Sequence, residues 1–236
     1  MTEQLFQTDA YRQTFPANVV AHLDGGVVLD RTAFYPGGGG QPHDTGHLAG
    51  AGRTWPVTGL KKVQGQLVHY LDGELPPVGT PLTGQLNWER RYRLMRTHTA
   101  MHILCGVVWR DYQASVTGGN MDPLQGRMDF EFETMRQELV AEIEAAVNRE
   151  VAAARPVRVA ILPRDEAFQI PDLIRTKINL LPAGINEVRT VEIVGLDLQA
   201  DGGTHVANTR EVGPLRIADY KSKGKINKRI YVELTP

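Results

Sequence analysis

The 236-residue chain has a single cysteine, Cys105, almost no net charge and no long apolar run. One cysteine excludes an internal disulfide and fits a reducing compartment, so the expected location is the cytoplasm. Twenty-six basic against twenty-seven acidic residues leave a net charge of -1. That balance excludes a generally cationic nucleic-acid binder but permits a local basic patch. No stretch approaches the roughly 18 unbroken apolar residues that a membrane helix needs. The opening MTEQLFQTDAYRQTF mixes acids and amides among its apolar residues, so no signal-peptide core can be drawn there and no membrane partner is expected. What is present is the composition of an ordinary folded protein, 42% hydrophobic and 22% charged, with chain enough for one large or two small domains.

From Phe15 to about Trp88, short apolar runs (NVVAHL, GVVLD, GHLAG, WPVTGL, LVHYL) are broken by Gly, Pro and Asp at short intervals. This pattern predicts a small antiparallel sheet or barrel over residues 1–88. At Asn87–Arg96 the pattern turns to charged and long-chain residues, and glycine stays out until Gly106, which predicts a helix of five or six turns and a domain boundary. A loop is expected over Val116–Arg127 and a strand over Met128–Phe132. A helix should follow, opened by a capping box of Thr134 and Gln137 and running to about Ala154. Pro156 ends it, VRVAIL and Val188–Val194 read as strands, and a Pro- and Arg-containing connection joins them. The terminal PLRIADYKSKGKINKRIYVEL reads as a hairpin with Gly224 in its turn. Residues 89–236 thus read as helices on an antiparallel sheet, and the whole chain as α+β: a barrel-like domain followed by an α/β domain.

His98 and His102 lie four apart in RTHTAMHILCGVV, so on a helix both imidazoles share one face, close enough for one metal ion. Asp201 and His205 are also four apart, in ADGGTHVANT, but Gly202 and Gly203 put them on a tight loop. Together they make a four-group zinc shell, or a three-histidine shell with an open position and Asp201 beside the bound water. Zinc with an open position lowers the pKa of bound water to about 7 and polarises a carbonyl, as ester or amide hydrolysis requires. Cys105 shares the histidine face, but inside the apolar run ILCGVV it reads as a core thiol.

In LDRTAFYPGGGGQPHDTG, four glycines expose backbone N–H groups, yet no Gly-Lys-Ser/Thr follows, so a phosphate-binding P-loop is not supported. The alternatives are a flexible hairpin loop and a small-ligand site using Thr32, Phe34, Tyr35 and Gln41. Basic residues gather at Arg90, Arg91, Arg93 and Arg96, and again at Lys221, Lys223, Lys225, Lys228 and Arg229, flanked by Tyr220 and Tyr231. Alone each cluster reads as solvated surface; beside a hydrolytic centre they become a phosphate-backbone grip.

HTAMH, then DGGTH with VANTREVG about a hundred residues on, preceded by LDRTAFYPGGGGQPHDTG, resembles the freestanding alanyl-tRNA editing proteins known as AlaX. These are relatives of the editing domain of alanyl-tRNA synthetase. The resemblance covers nearly the whole chain and is closest to the longer, two-domain type. It implies zinc-dependent hydrolysis of serine, and of glycine, from mischarged tRNA for alanine, with one zinc on His98, His102 and His205. Many relatives have cysteine where this chain has Asp201, so the resemblance leaves open whether Asp201 is a ligand or orients water. It also implies that Gly118, Gly119 and Asn120 line the amino-acid end of the substrate; Thr32 is the candidate for hydrogen-bonding the serine hydroxyl, with Gln41 a further substrate-binding candidate. Arg91, Arg93 and the hairpin's basic residues would hold the tRNA. With a β domain and a metal domain accounting for the chain, no segment is left for an ATP-dependent activation core. The rival reading is a tRNA-binding relative that has lost catalysis with the Asp201 substitution.

Overall fold

A computed structural model describes residues 2–175 and 184–236. The described chain divides into two compact units, Met1–Tyr92 and Arg93–Pro236, with α+β architecture. The first unit runs through β1 (Glu3–Gln4), β2 (Thr14–Leu23), β3 (Gly26–Leu29), β4 (Arg31–Thr32), β5 (Gly46–Gly50), β6 (Arg53–Val63), β7 (Gln66–Leu71) and β8 (Pro81–Leu86). Six of these strands close antiparallel in the order β2-β3-β7-β6-β5-β8, with β8 returning to β2. Closure leaves the barrel no free edge. It also agrees with the alternating sequence: Phe15, Ala17 and Val19 of β2 point inward while their neighbours are exposed, and Leu82 and Leu86 do the same on β8.

The second unit comprises α1 (Trp88–Tyr112), whose first turn still belongs to the barrel unit, then β9 (Val116–Asp122), β10 (Gln125–Glu131) and α2 (Gln137–Ala152). These are followed by β11 (Val157–Pro163), α3 (Arg164–Ala167), β12 (Glu187–Ile193), β13 (Asp197–Ala200), β14 (Leu215–Ser222) and β15 (Asn227–Leu234). The strands form a four-stranded sheet, β14-β15-β10-β9, and a three-stranded sheet, β11-β12-β13. Helix α1 meets the first sheet where Thr97 Oγ1 accepts the Leu124 N–H at 2.8 Å. It meets the turn before β13 at Gly106, where a Cβ would lie 3.0 Å from both Leu196 and Asp197. That close approach, and not a helix end, explains the glycine, so α1 continues past it for 25 residues in all. On α2, Val140, Ile143, Ala146, Val147 and Val151 make the buried stripe.

The structure departs from the sequence expectation at three places. The segment expected as a loop over Val116–Arg127 is a hairpin: VTGGNMD pairs with Gln125–Glu131 around a turn in which Leu124 takes φ 64°. Its glycines hid a strand because cross-strand pairing decides strand formation more than propensity does. Thr134 does not cap α2; the backbone is still extended at Arg136, so the helix starts at Gln137 without a side-chain cap. The connection expected before Val188 falls partly on residues 176–183, outside the described residues.

The third departure is at Arg91, expected on a tRNA-facing surface. Its side chain is fully buried in the barrel unit, ion-paired with the equally buried Asp44. It donates to both Asp44 oxygens and to the Ala33 and Ala10 carbonyls. Asp44 in turn accepts the Tyr35 N–H at 2.6 Å. A guanidinium so enclosed, with its side chain wholly inaccessible, presents no donor to a phosphate at the surface. Removing it strands a buried carboxylate, which costs roughly 3–5 kcal/mol. Arg91→Met is therefore expected to lower the unfolding free energy of the full chain, read from urea titration, by an amount of that order. A shift corresponding to less than about 1 kcal/mol would mean the pair is solvated.

Candidate metal centre

Two elements of the second unit build the centre. On α1, His98 and His102 fall one turn apart on one face, both nearly inaccessible. The loop after β13 supplies Asp201 and His205. Their ligating atoms all lie within 4.8 Å of one another. The three rings are mutually close, with centroids 4.2 Å apart for His98 and His205, 4.7 Å for His102 and His205, and 5.1 Å for His98 and His102. Asp201 faces two of them, with Oδ2 3.0 Å from His205 Nε2 and Oδ1 3.6 Å from His98 Nε2.

Neighbours hold these groups in place. The Gly203 N–H donates to Asp201 Oδ2 at 2.7 Å, and Arg189 of β12 donates to the Asp201 carbonyl at 2.9 Å. Thr99 Oγ1 accepts the Val206 N–H at 3.2 Å and lies 3.2 Å from His205 Nδ1. His102 Nδ1 lies 3.3 Å from Asp197 Oδ2, in ion-pair reach without hydrogen-bond alignment. Asp197, Arg189 and Thr99 were missed in the sequence. The available signals were a charged residue inside each apolar strand run, VRTVEIV and GLDLQ, and a hydroxyl between the two histidines.

Burial sets the protonation states. It lowers His205 to about 4 and holds His98 well below its ordinary value, with Asp201 pulling the other way. Burial alone would raise Asp201, but the facing His98 and His205 outweigh it and keep the carboxyl well below the usual range. His102 alone moves up, because Asp197 and Asp201 overcome its burial. Neutral imidazoles and a carboxylate are the protonation states that metal ligation requires. Tetrahedral zinc places N and O donors about 2.0–2.2 Å from the ion, hence about 3.3 Å apart, a spacing the present cluster reaches with shifts of about an ångström. The donor set therefore fits the metal.

The other sequence-predicted residues lie elsewhere. Gly118, Gly119 and Asn120 are on β9, an edge of the four-stranded sheet. Gly119 is where that strand meets α1, since a Cβ there would sit 3.3 Å from Met101 Cε, next in sequence to His102. Thr32 and Gln41 belong to the barrel unit and are buried. The Thr32 hydroxyl lies 2.9 Å from Nε2 of the buried His69, which burial lowers to about 4, and it accepts the Phe34 N–H at 3.2 Å. All four glycines of the motif, Gly37–Gly40, have φ between 57° and 137°, which explains the run better than ligand access does. Cys105 is a buried thiol raised by burial, in contact with Gln199.

In the terminal hairpin, Lys221, Lys223 and Lys225 are exposed. Lys228 is not: its ammonium donates to the Gly224 and Lys225 carbonyls and ties the turn, which corrects its expected role on the surface. Arg229 is held by both oxygens of Asp129. Arg93 is half-buried on α1.

Residues 4–90 match the family described as tRNA synthetases class II (A), and residues 188–231 match the threonyl and alanyl tRNA synthetase second additional domain. The chain is 39% identical to the alanyl-tRNA editing protein AlaX-M of Saccharolobus solfataricus over 100% of both chains, and 39% identical to that of Methanosarcina barkeri over 99% of both. It is also 40% identical to the alanine–tRNA ligase of Pyrobaculum aerophilum, over 92% of this chain and 25% of that one. Fold, metal-type cluster and the two synthetase-family matches define a relative of the alanyl-tRNA synthetase editing region. The chain belongs to the AlaX-M family of alanyl-tRNA editing proteins.

A group whose folded pKa lies below its unfolded value binds fewer protons when folded, so folding stability rises with pH across the interval between the two. For His205 that interval runs from about 4 to 6.5, and His98 contributes in the same direction. His102, shifted upward, has the opposite slope, but its interval lies above 6.5 and leaves this range untouched. The metal-free protein is expected to lose stability as pH falls from 6.5 toward 4, as read from urea midpoints across that range. A flat or inverted profile would contradict buried neutral imidazoles.

Proposed function

We propose that this protein is a zinc-dependent deacylase that removes serine, and also glycine, from mischarged tRNA for alanine. The observation that carries the reading is the cluster of His98, His102, Asp201 and His205 in a chain of the alanyl-tRNA editing family. His98, His102 and His205 would hold the ion through neutral imidazoles, with the Asp201 carboxylate as fourth donor. When bound, zinc supplies a Lewis acid that polarises an ester carbonyl and lowers the pKa of water. Arg189 and the Gly203 N–H fix Asp201 before substrate arrives, so the donor set is preorganised. Hydrolysis then adds water to the ester carbonyl and breaks the bond to the ribose oxygen, leaving free serine and a tRNA hydroxyl. ATP has no part in this reaction.

Replacing both His98 and His102 by alanine is expected to abolish serine release while leaving tRNA binding in place. Unchanged deacylation by that folded variant would overturn the reading. Stable tRNA binding without release by the zinc-loaded wild type would favour a relative that has lost catalysis, for which the oxygen ligand at position 201 in place of thiolate is the supporting feature.

We assign the phosphate grip to the exposed Lys221, Lys223 and Lys225 of the terminal hairpin. Each phosphate contact contributes about 0.9 to the slope of log affinity against log salt for duplex nucleic acid. Alanine at Lys223 and Lys225 together is expected to reduce that slope by about 1.8, measured by filter binding over a salt series. An unchanged slope would remove the hairpin from the tRNA surface.

A further inference from the structure

Behind His102, on the side away from the cluster, lies a second carboxylate that the hydrolytic reading does not use. The Asp197 side chain is wholly inaccessible, and of its two oxygens only Oδ2 carries a hydrogen bond. Oδ2 accepts the Gln199 side-chain N–H at 2.6 Å and lies 3.3 Å from His102 Nδ1. Oδ1 faces Arg175 Nε at 3.6 Å, with no hydrogen bond to either. The Arg175 guanidinium is itself nearly buried, stacked on Trp109 at 4.7 Å. A carboxylate so enclosed needs compensating charge or donors on both sides. Arg175 supplies the charge on one, and His102 Nδ1 is the unsatisfied nitrogen on the other.

The geometry points to Asp197 as a positioning residue for the metal site. It holds His102 as the Nδ1–H tautomer, so that the Nε2 lone pair is the one presented to the ion, and the Arg175 guanidinium, 3.6 Å from Oδ1, holds the far side of the carboxylate. This rests on the zinc reading above. His102 Nδ1, 3.3 Å from Oδ2, and Asp197 Oδ1 on the Arg175 side are both without a hydrogen bond, so a small turn of the ring suffices to align the first contact. Backbone bonds hold this arrangement on both sides: the Ala200 N–H donates to the Leu173 carbonyl at 3.0 Å and the Val116 N–H to the Arg175 carbonyl at 3.1 Å.

Asp197→Asn tests it, because the amide cannot satisfy both neighbours. Keeping its oxygen toward the Arg175 guanidinium turns an N–H toward His102 Nδ1, which then must accept, moving the ring proton to Nε2. In the full chain, stripped of metal and titrated with zinc against a chromogenic chelator, the variant is expected to bind zinc 10- to 100-fold more weakly than wild type. The 15N shifts of His102 in the metal-free chain should change from the Nδ1–H to the Nε2–H pattern, a readout that a merely structural role would not move. Arg175→Met, which leaves Asp197 in place, should weaken zinc by a smaller factor and keeps the test available if the asparagine variant does not fold. Zinc affinity within twofold of wild type, with the Nδ1–H tautomer retained in a folded variant, overturns the assignment. Should the wild type itself bind no zinc, the metal reading fails instead, and the tautomer shift alone decides the role of Asp197.

Discussion

One hydroxyl joins the two halves of the metal centre. Thr99 sits on α1 between His98 and His102, and its oxygen accepts the Val206 N–H while facing His205 Nδ1. The loop from Asp201 to His205 is thereby docked on the helix face that carries the other two imidazoles. Without that dock, the spacing of four within each pair would bring two groups together but not four. The same bond occupies the outer nitrogen of His205, leaving Nε2 directed at Asp201, and Asp197 stands in the corresponding place behind His102. The site is therefore two layers deep, with metal-type groups inside and a hydroxyl, a carboxylate and a guanidinium orienting them.

Concentrating this many polar groups in an interior works because each charge has a partner of opposite sign or a backbone donor. Asp201 has Arg189 and the Gly203 N–H, and Glu150 has Arg110 and Arg155. In the barrel unit Asp44 has Arg91. The imidazoles solve the same problem differently, since burial keeps two of them neutral. A metal ion bound to them would replace protons that the fold already disfavours, so the energetic cost of assembling the site is met largely in the metal-free chain.

Much of this was legible in the sequence wherever the signal was local. Alternating apolar runs announced the strands that close the barrel, and the spacing of the two histidines announced a shared helix face. Gly224 between apolar runs announced the terminal hairpin. What stayed hidden depended on contacts distant in sequence. Glycine-rich VTGGN forms a strand because β10 pairs with it, and Gly106 lies inside α1 because the turn before β13 crowds the helix there. Arg91 and Lys228 looked like surface charge because sequence carries no sign of Asp44, 47 residues away, or of the carbonyls in the hairpin turn. Asp197 was passed over for the same reason, its partners being 95 and 22 residues off in the chain.

The account stands on four side chains holding one ion. Anomalous diffraction at the zinc absorption edge, from crystals of the full chain grown with zinc, tests this most directly. The predicted result is a single strong peak enclosed by His98, His102, His205 and Asp201, with His102 bound through Nε2 and its Nδ1 turned to Asp197. A peak located elsewhere, or none among these residues in zinc-saturated crystals, would contradict it.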